Sequence, residues 1–268
     1  MSVQSLYTAA TGMEALQSKL DTISNNLANV NTISFKRDRA NFEDLFYQNE
    51  VLPGAVDSAG QPTANGIHTG LGTRVSSTQI DFKQGSFQTT GNQYDLAIAG
   101  NGFFQVQDPS TAQIEYTRAG NFSINANNQI VMGSASTGRL LVPNITVPID
   151  TTGVVITPEG LVSVHQNGNP ALNQVGQIQL AQFPNPQGLL KQGENLYAET
   201  NASGTATAGN PGANGLGTIQ QNTLESSNVE PVNELIDLIT TQRAFELNSQ
   251  AVQAGNQILQ AIVALPRS

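Results

Sequence analysis

The stretch NVEPVNELIDLITTQRAFELNSQAVQAGNQILQAIVAL, Asn228 to Leu265, decides the fold. Within it Leu238, Phe245, Val252 and Leu259 recur every seven residues, and Leu235 and Ile239 widen the same apolar stripe. That is the spacing of one long helix packing along a seam. The other end of the chain carries a matching pattern. Leu6, Met13, Leu20 and Leu27 recur every seven, and Ala9, Leu16, Ile23 and Val30 follow each of them by three, filling the a and d rows of a heptad repeat. Between the two ends the sequence has no such period and is rich in Gly, Asn, Gln, Ser and Thr.

Working outward, the spacing predicts an α+β chain. Helices at Ser2 to Asn29 and Asn228 to Leu265 pair as an antiparallel coiled coil, because the insertion leaves from Val30 and returns at Asn228. Leu27 is then expected near Leu235 and Leu6 near Leu259, with Pro231 in the first turn of the second helix and Ser227 or Asn228 as its cap. Small residues at Ala244, Ala251, Ala254, Gly255 and Ala261 offer close-approach surface that one helical partner cannot cover. Chain ends are usually the frayed part of a domain, so covering these stripes falls to another copy of the chain. Self-contacts that do not close into a ring generate a filament.

The insertion divides by composition. Residues 1–34 hold the first helix and 228–268 the last. Residues 35–72 form an extended arm, in which Phe35 to Tyr47 reads as a short helix or an extended segment and Val51 to Gly72, with Pro53, Gly54, Gly60, Pro62, Gly66 and Gly70, as a loop or extended excursion. Residues 73–200 carry strand and turn signals: Tyr94 to Ala99, a turn at Asn101-Gly102, Phe103 to Val106, Thr151 to Thr157, Leu161 to His165, and Val175 to Phe183, where apolar and polar residues alternate. They predict an antiparallel β-domain, a partly closed barrel or sandwich. Residues 201–227 open with a Gly, Ala, Thr and Asn tract that reads as a flexible linker.

Charge narrows the function. The formal charge of -9 argues against a nucleic-acid partner, which needs clustered Lys and Arg. The one basic knot, Lys36, Arg37 and Arg39, is interrupted by Asp38 and reads as a solvated turn. Without cysteine there is no disulfide, thiolate metal site or Cys nucleophile. No apolar run is long enough for a transmembrane segment, and Met1 to Tyr7 lacks the pattern of a cleaved signal peptide, so any export is expected to leave the N-terminus intact. His68 and His165 have no partner at metal spacing, and Gly66 to Gly72 is followed by no Lys-Ser/Thr, so neither a metal, a cofactor nor a phosphate cradle is expected. Carboxylates such as Asp81, Asp95, Asp108 and Glu115 have no spacing that singles out a catalytic pair, and no enzymatic role is expected. Ser24, Asn25 and Asn26, with Gln242, Ser249 and Asn256, are either solvated or set helix register from within the seam. Arg243 is placed to pair with Glu246 on its own helix, with Asp21 across the pair, or with a neighbouring subunit.

Several blocks resemble one family. Asn25-Asn26-Leu27-Ala28-Asn29-Val30-Asn31-Thr32 with Phe35-Lys36 is similar to the N-terminal signature of bacterial flagellar rod and hook proteins. Ser227-Asn228-Val229-Glu230-Pro231 and Gln242-Arg243-Ala244-Phe245-Glu246 look like its C-terminal one. Gly102-Phe103-Phe104, Tyr116 to Phe122 and Gly193 to Tyr197 match between them. Phe42, Leu45, Phe46 and Tyr47, followed by Pro53-Gly54, resemble the segment that separates the distal-rod branch from the hook. Ser34 departs from the family's usual Gly before Phe35.

The resemblance implies a structural subunit, exported through the flagellar export apparatus and polymerised in the periplasm as a hollow helical shaft. Its implied partners are other copies of itself, proximal rod and hook subunits, and the surrounding ring bushing. The self-assembly interface would be Leu6, Met13, Leu16, Leu20, Ile23, Leu27, Leu235, Leu238, Ile239, Arg243, Phe245, Val252 and Leu259. Asn25, Asn26, Asn29, Thr32 and Phe35 would form the signature turn. A proximal rod or hook subunit is the alternative within the family; a secreted β-domain hydrolase or adhesin with a coiled-coil stem is the alternative outside it.

Overall fold

The structure is a computed structural model that describes residues 3–54, 61, 64–133 and 138–263. Ser2, Gly60, Pro62 and Leu265 lie outside the described residues. The fold is α+β, and the chain divides into two compact units.

Unit 1 takes residues 1–28, 38–80 and 230–268. It holds α1 (Val3–Ala28), strands β1 (Asp38–Asp44), β2 (Tyr47–Val51), β3 (Ile67–Gly70) and β4 (Thr73–Ile80), and α2 (Pro231–Val263). The two helices run antiparallel. A Cβ added at Gly255 would sit 2.3 Å from Leu6 Cδ2, one at Gly12 would meet the Asn248 amide at 3.4 Å, and Asn26 reaches Glu234. Leu6 therefore rests on Gly255, one turn before Leu259, and the missing side chain is what lets the backbones approach there. Pro231 opens α2, as its fixed φ suits a first helical position. The expected caps are used otherwise: the Asn228 side-chain oxygen accepts from the Arg37 amide at 2.8 Å, and the Ser227 hydroxyl accepts from Val229 N–H at 3.2 Å.

The described residues between 38 and 80 pair as a β-hairpin. β1 pairs with β4 from Asp38↔Ile80 to Asp44↔Thr73, and β2 pairs with β3 from Tyr47↔Gly70 to Val51↔Ile67. Of the two alternatives for Phe35 to Tyr47, the structure has the extended one, with Asp38–Asp44 as a strand paired to β4 and no helix. The hairpin base packs on α1 through β1 and β4.

Unit 2 takes residues 29–37 and 81–229 and contains the principal hydrophobic core. One sheet has the order β16 (Leu190–Gly193), β17 (Leu196–Ala198), β8 (Ile114–Thr117), β7 (Phe103–Gln107), β11 (Leu140–Val142), β10 (Ile130–Met132), β9 (Phe122–Ile124), with β15 (Leu180–Gln182) joining β7 to β18 (Thr207–Gly209). A second sheet is the meander β12 (Thr151–Ile156), β13 (Leu161–Gln166), β14 (Asn169–Gln177). Two short pairs complete the unit: β6 (Leu96–Ala99) with β19 (Thr218–Gln221), and β5 (Phe87–Thr89) with β20 (Thr223–Glu225). All these pairings are antiparallel. Leu96, Ile98, Phe104, Leu141, Val162 and Leu180 are fully buried among them.

Two sequence expectations change here. Val175 to Phe183 spans the end of β14 and all of β15, which lie in different sheets, so the alternation is not one strand. The tract from Asn201 is not a loose connection: Ser203 is buried and bonded to the Thr200 carbonyl at 2.8 Å, and β18 pairs with β15.

Gly120 is the tightest backbone approach in unit 2, since an added Cβ would lie 1.6 Å from the Leu96 carbonyl oxygen. Because that neighbour is backbone, it cannot rotate away. Gly120→Ala is expected to cost at least about 2 kcal/mol in chemical denaturation; an unchanged midpoint would show that β6 can move aside.

Candidate assembly surfaces

The seam between α1 and α2 has two rows on the α2 side. Leu238, Phe245, Val252 and Leu259 are half-buried and supply the apolar row. The second row, also at intervals of seven, is Glu234, Thr241, Asn248 and Gly255. These are polar or small, so hydrophobic periodicity alone passes over them. On α1, Leu6, Met13, Leu16, Leu20 and Leu27 are half-buried and Ile23 is buried.

Asn26 is the polar centre of this seam and is buried. Its amide donates to the Asp38 carbonyl at 2.8 Å and to a Glu234 carboxylate oxygen at 3.3 Å, while its oxygen accepts from Asp38 N–H at 2.9 Å. One side chain thus ties α1 to the start of the hairpin and to the first turn of α2. Ser24 and Asn25, its neighbours, are exposed.

Leu235 and Ile239 do not widen the seam. A helix turns about 100° per residue, which carries them toward the opposite side with Val232, Ile236 and Leu247. Val232 is 69% exposed, Leu247 66% and Ile239 55%. Ala254, Ile258 and Ala261 continue this outer stripe. Arg243 stands exposed within it and makes no ion pair with Glu246 or Asp21. Hydrophobic patterning registers the seam and the outer stripe together, which is why sequence reading merges them.

The hairpin presents a second apolar surface. Phe42, Phe46 and Tyr47 are exposed while Leu45 is half-buried, and Pro53 and Gly54 lie exposed toward the tip.

In unit 2 the segment after α1 is fastened by buried charge. Lys36 and Glu225 have no exposed surface, and the Lys36 Nζ lies 2.6 Å from Glu225 Oε1. Arg118, also buried, donates through Nε to Glu225 Oε2 at 3.0 Å, and Gly85 N–H donates to Oε1 at 2.9 Å. Burial pushes the Lys36 ammonium below its ordinary pKa, against the pull of Glu225 in the other direction. The basic knot is therefore not a solvated turn: Lys36 is internal, and Arg37 pairs with Asp81 at 3.3 Å. Asn29 accepts from the Thr32 hydroxyl at 3.1 Å, and Phe35 is buried beneath Lys191 Nζ, 4.8 Å from its ring centroid. The signature turn thus divides: Asn25 and Asn26 belong to unit 1, and Asn29, Thr32 and Phe35 to unit 2.

Ser34 sits at φ +55°, the left-handed region in which a glycine is unstrained. Its N–H donates to the Glu225 carbonyl at 2.8 Å and its hydroxyl to the Arg118 carbonyl at 2.9 Å. The hydroxyl compensates in part for the strained backbone.

The candidate carboxylates serve separate roles. Asp95 accepts from Thr90 and Asn92, Asp108 from Ser110, and Glu115 from Arg139.

A pair of sequence-remote helices with an uncovered apolar stripe defines a protein built to associate with other chains. Family models agree on which: residues 6–36 match the flagella basal body rod protein model, 97–164 the FlgE/F/G D1 domain and 220–265 the FlgEFG C-terminal domain. The flagellar basal-body rod protein FlgG of Caulobacter vibrioides is 45% identical over 260 residues, covering 97% of this chain and 98% of the relative. The FlgG of Borreliella burgdorferi is 41% identical, with 96% of each chain covered, and that of Bacillus subtilis 36%, with 99% and 100% covered. The chain belongs to the flagellar basal-body rod and hook protein family.

Glu225→Gln leaves two buried cations facing a neutral amide and is expected to cost about 3–5 kcal/mol in denaturant unfolding. Adding Lys36→Met should recover part of that loss; an additive double variant would dissolve the coupling. At Ser34 the left-handed backbone costs about 1 kcal/mol and the hydroxyl contributes about as much. Ser34→Ala should therefore be the less stable variant and Ser34→Gly close to wild type, read from the same unfolding curves.

Proposed function

We propose that this chain is a structural subunit of the distal rod, which assembles into a hollow helical shaft and transmits torque across the periplasm. The observation that carries the reading is the outer stripe of α2, which is apolar except for Arg243 and lies opposite the seam. Water against that stripe is unfavourable, and a helix has only one other side to offer. Further copies of the chain are its natural cover. Relatives similar over nearly the whole chain bear the name of flagellar basal-body rod protein, which supports the same reading.

In this reading the terminal segments 1–34 and 228–268 build the inner shell as a coiled coil, and 73–200 the outer one. Segment 35–72 is an arm that bridges and stiffens neighbours through Phe42, Phe46 and Tyr47, and 201–227 returns the chain to the last helix. The subunit passes unassembled through the flagellar type III export apparatus and meets proximal rod subunits at one end, hook subunits at the other and the ring bushing around it.

The test separates the two faces of α2. Ile239→Asp and Leu247→Asp should abolish tubes in electron microscopy while circular dichroism keeps its helical signal. Each buried aliphatic contributes about 1.5–3 kcal/mol, which corresponds to ten- to hundredfold in assembly concentration. Phe245→Asp, in the seam, should lose helical signal as well as tubes. Normal tubes from the outer-face variants would overturn the reading.

A further inference from the structure

We infer, resting on the polymer reading above, that a neighbouring copy inserts Phe46 into an aromatic pocket of unit 2 and sets Asp44 against Arg118. The pocket is an open cleft of about 260 Å³ walled by Phe82, Phe103, Phe183 and Pro184, with the polar residues Arg118, Asn101 and Gln182 also in its lining. Phe103 meets Phe82 edge-on at 5.4 Å and Phe183 at 5.7 Å. An apolar cavity of about 150 Å³ holds benzene, so this volume accommodates one aromatic side chain, and the edge-on walls suit a further ring.

The charge of the pocket selects among aromatic occupants. Lys36 and Arg118 share one carboxylate, so the buried cluster retains a surplus cation. Arg118 spends Nε on Glu225 and Nη2 on the carbonyls of Ile98 and Gly100; Nη1 donates to nothing among the described residues. Aromatic walls otherwise attract cations, but a second cation here meets repulsion. The fitting occupant is a ring carried beside a carboxylate.

The chain supplies that pair. Phe46, at 87%, is the most exposed large hydrophobic side chain among the described residues. Asp44 is exposed, and its carboxylate makes neither an ion pair nor a hydrogen bond among the described residues. The exposed, half-buried, exposed sequence at 44, 45 and 46 puts both on one side of the extended backbone, about 6.6 Å apart. Arg118 Cζ stands 6.0 Å from the Phe103 ring centroid, a matching separation between charge and wall.

The chain contains no cysteine, so disulfide trapping reports directly. Phe46→Cys subunits are mixed with Asn101→Cys subunits, and in a parallel arm with Gln182→Cys, then assembled, imaged and mildly oxidised. Linked dimers are expected from a mixture and from neither partner alone, and Phe46→Ala should raise the assembly concentration about ten- to hundredfold. Tubes that form without a linked dimer in either arm, or linkage confined to a single chain in the Phe46→Cys/Asn101→Cys double variant, overturn the docking and leave the polymer reading standing. Wild-type subunits that remain monomeric under assembly conditions overturn both.

Discussion

α2 has apolar residues on two opposed sides and one helical neighbour within its unit. Leu238, Phe245, Val252 and Leu259 face α1, and Val232, Ile236, Ile239 and Leu247 do not. Within unit 1, α1 covers one of these sides. The residual cost is proportional to exposed apolar area, at about 25 cal/mol per Å². Any state that covers the stripe is favoured in proportion to the area it buries.

The seam itself is thin by design of its residues. Its second row of Glu234, Thr241, Asn248 and Gly255 contributes little hydrophobic burial. What it provides is register. Asn26 has one position in which it satisfies both Asp38 and Glu234, and Gly255 one in which Leu6 fits over bare backbone. A slip by one turn would place Leu6 against a side chain and leave a buried carboxylate without its amide. Polar seam positions of this kind exchange stability for a unique alignment. A pair held in register but weakly buried gains the most from the packing of additional copies.

That division of labour explains what the sequence could disclose. The terminal helices are legible because heptads of Leu, Met, Phe and Val survive in one-dimensional form. The polar row is invisible to the same method, and so is the distinction between seam and outer stripe, which depends on which neighbours exist. The hairpin is poorly legible for a different reason: β1 and β2 are rich in charged and amide residues, Asp38-Arg39 and Gln48-Asn49-Glu50 among them, and pair through backbone over a register that only tertiary context fixes. Lys36, read as solvated because it adjoins Arg37 and Asp38, is internal because Glu225 lies 189 positions away in the chain. Only Ser34 announced its strain in advance, since a serine where relatives of the resemblance carry glycine raises the question of a positive φ, and the φ is positive.

The placement of buried charge bears on how unit 2 holds the two segments that connect it to the helices. Unit 2 receives the chain from α1 at Asn29 and returns it to α2 at Val229. Force along either helix enters through those segments, and unit 2 fastens them to one another. Asn228 N–H donates to the Phe35 carbonyl at 3.3 Å, Arg37 N–H to the Asn228 side chain at 2.8 Å, and Asn228 Nδ2 to the Asp81 carbonyl at 2.7 Å. Beneath them the Lys36–Glu225–Arg118 cluster resists separation more steeply than apolar packing would, because pulling either cation away breaks its charge-assisted hydrogen bond to the shared Glu225 carboxylate inside the protein. An apolar contact of equal area would slide under shear at little cost. A hydrogen-bonded ion cluster has a single favourable geometry, so it fixes the two connecting segments against one another.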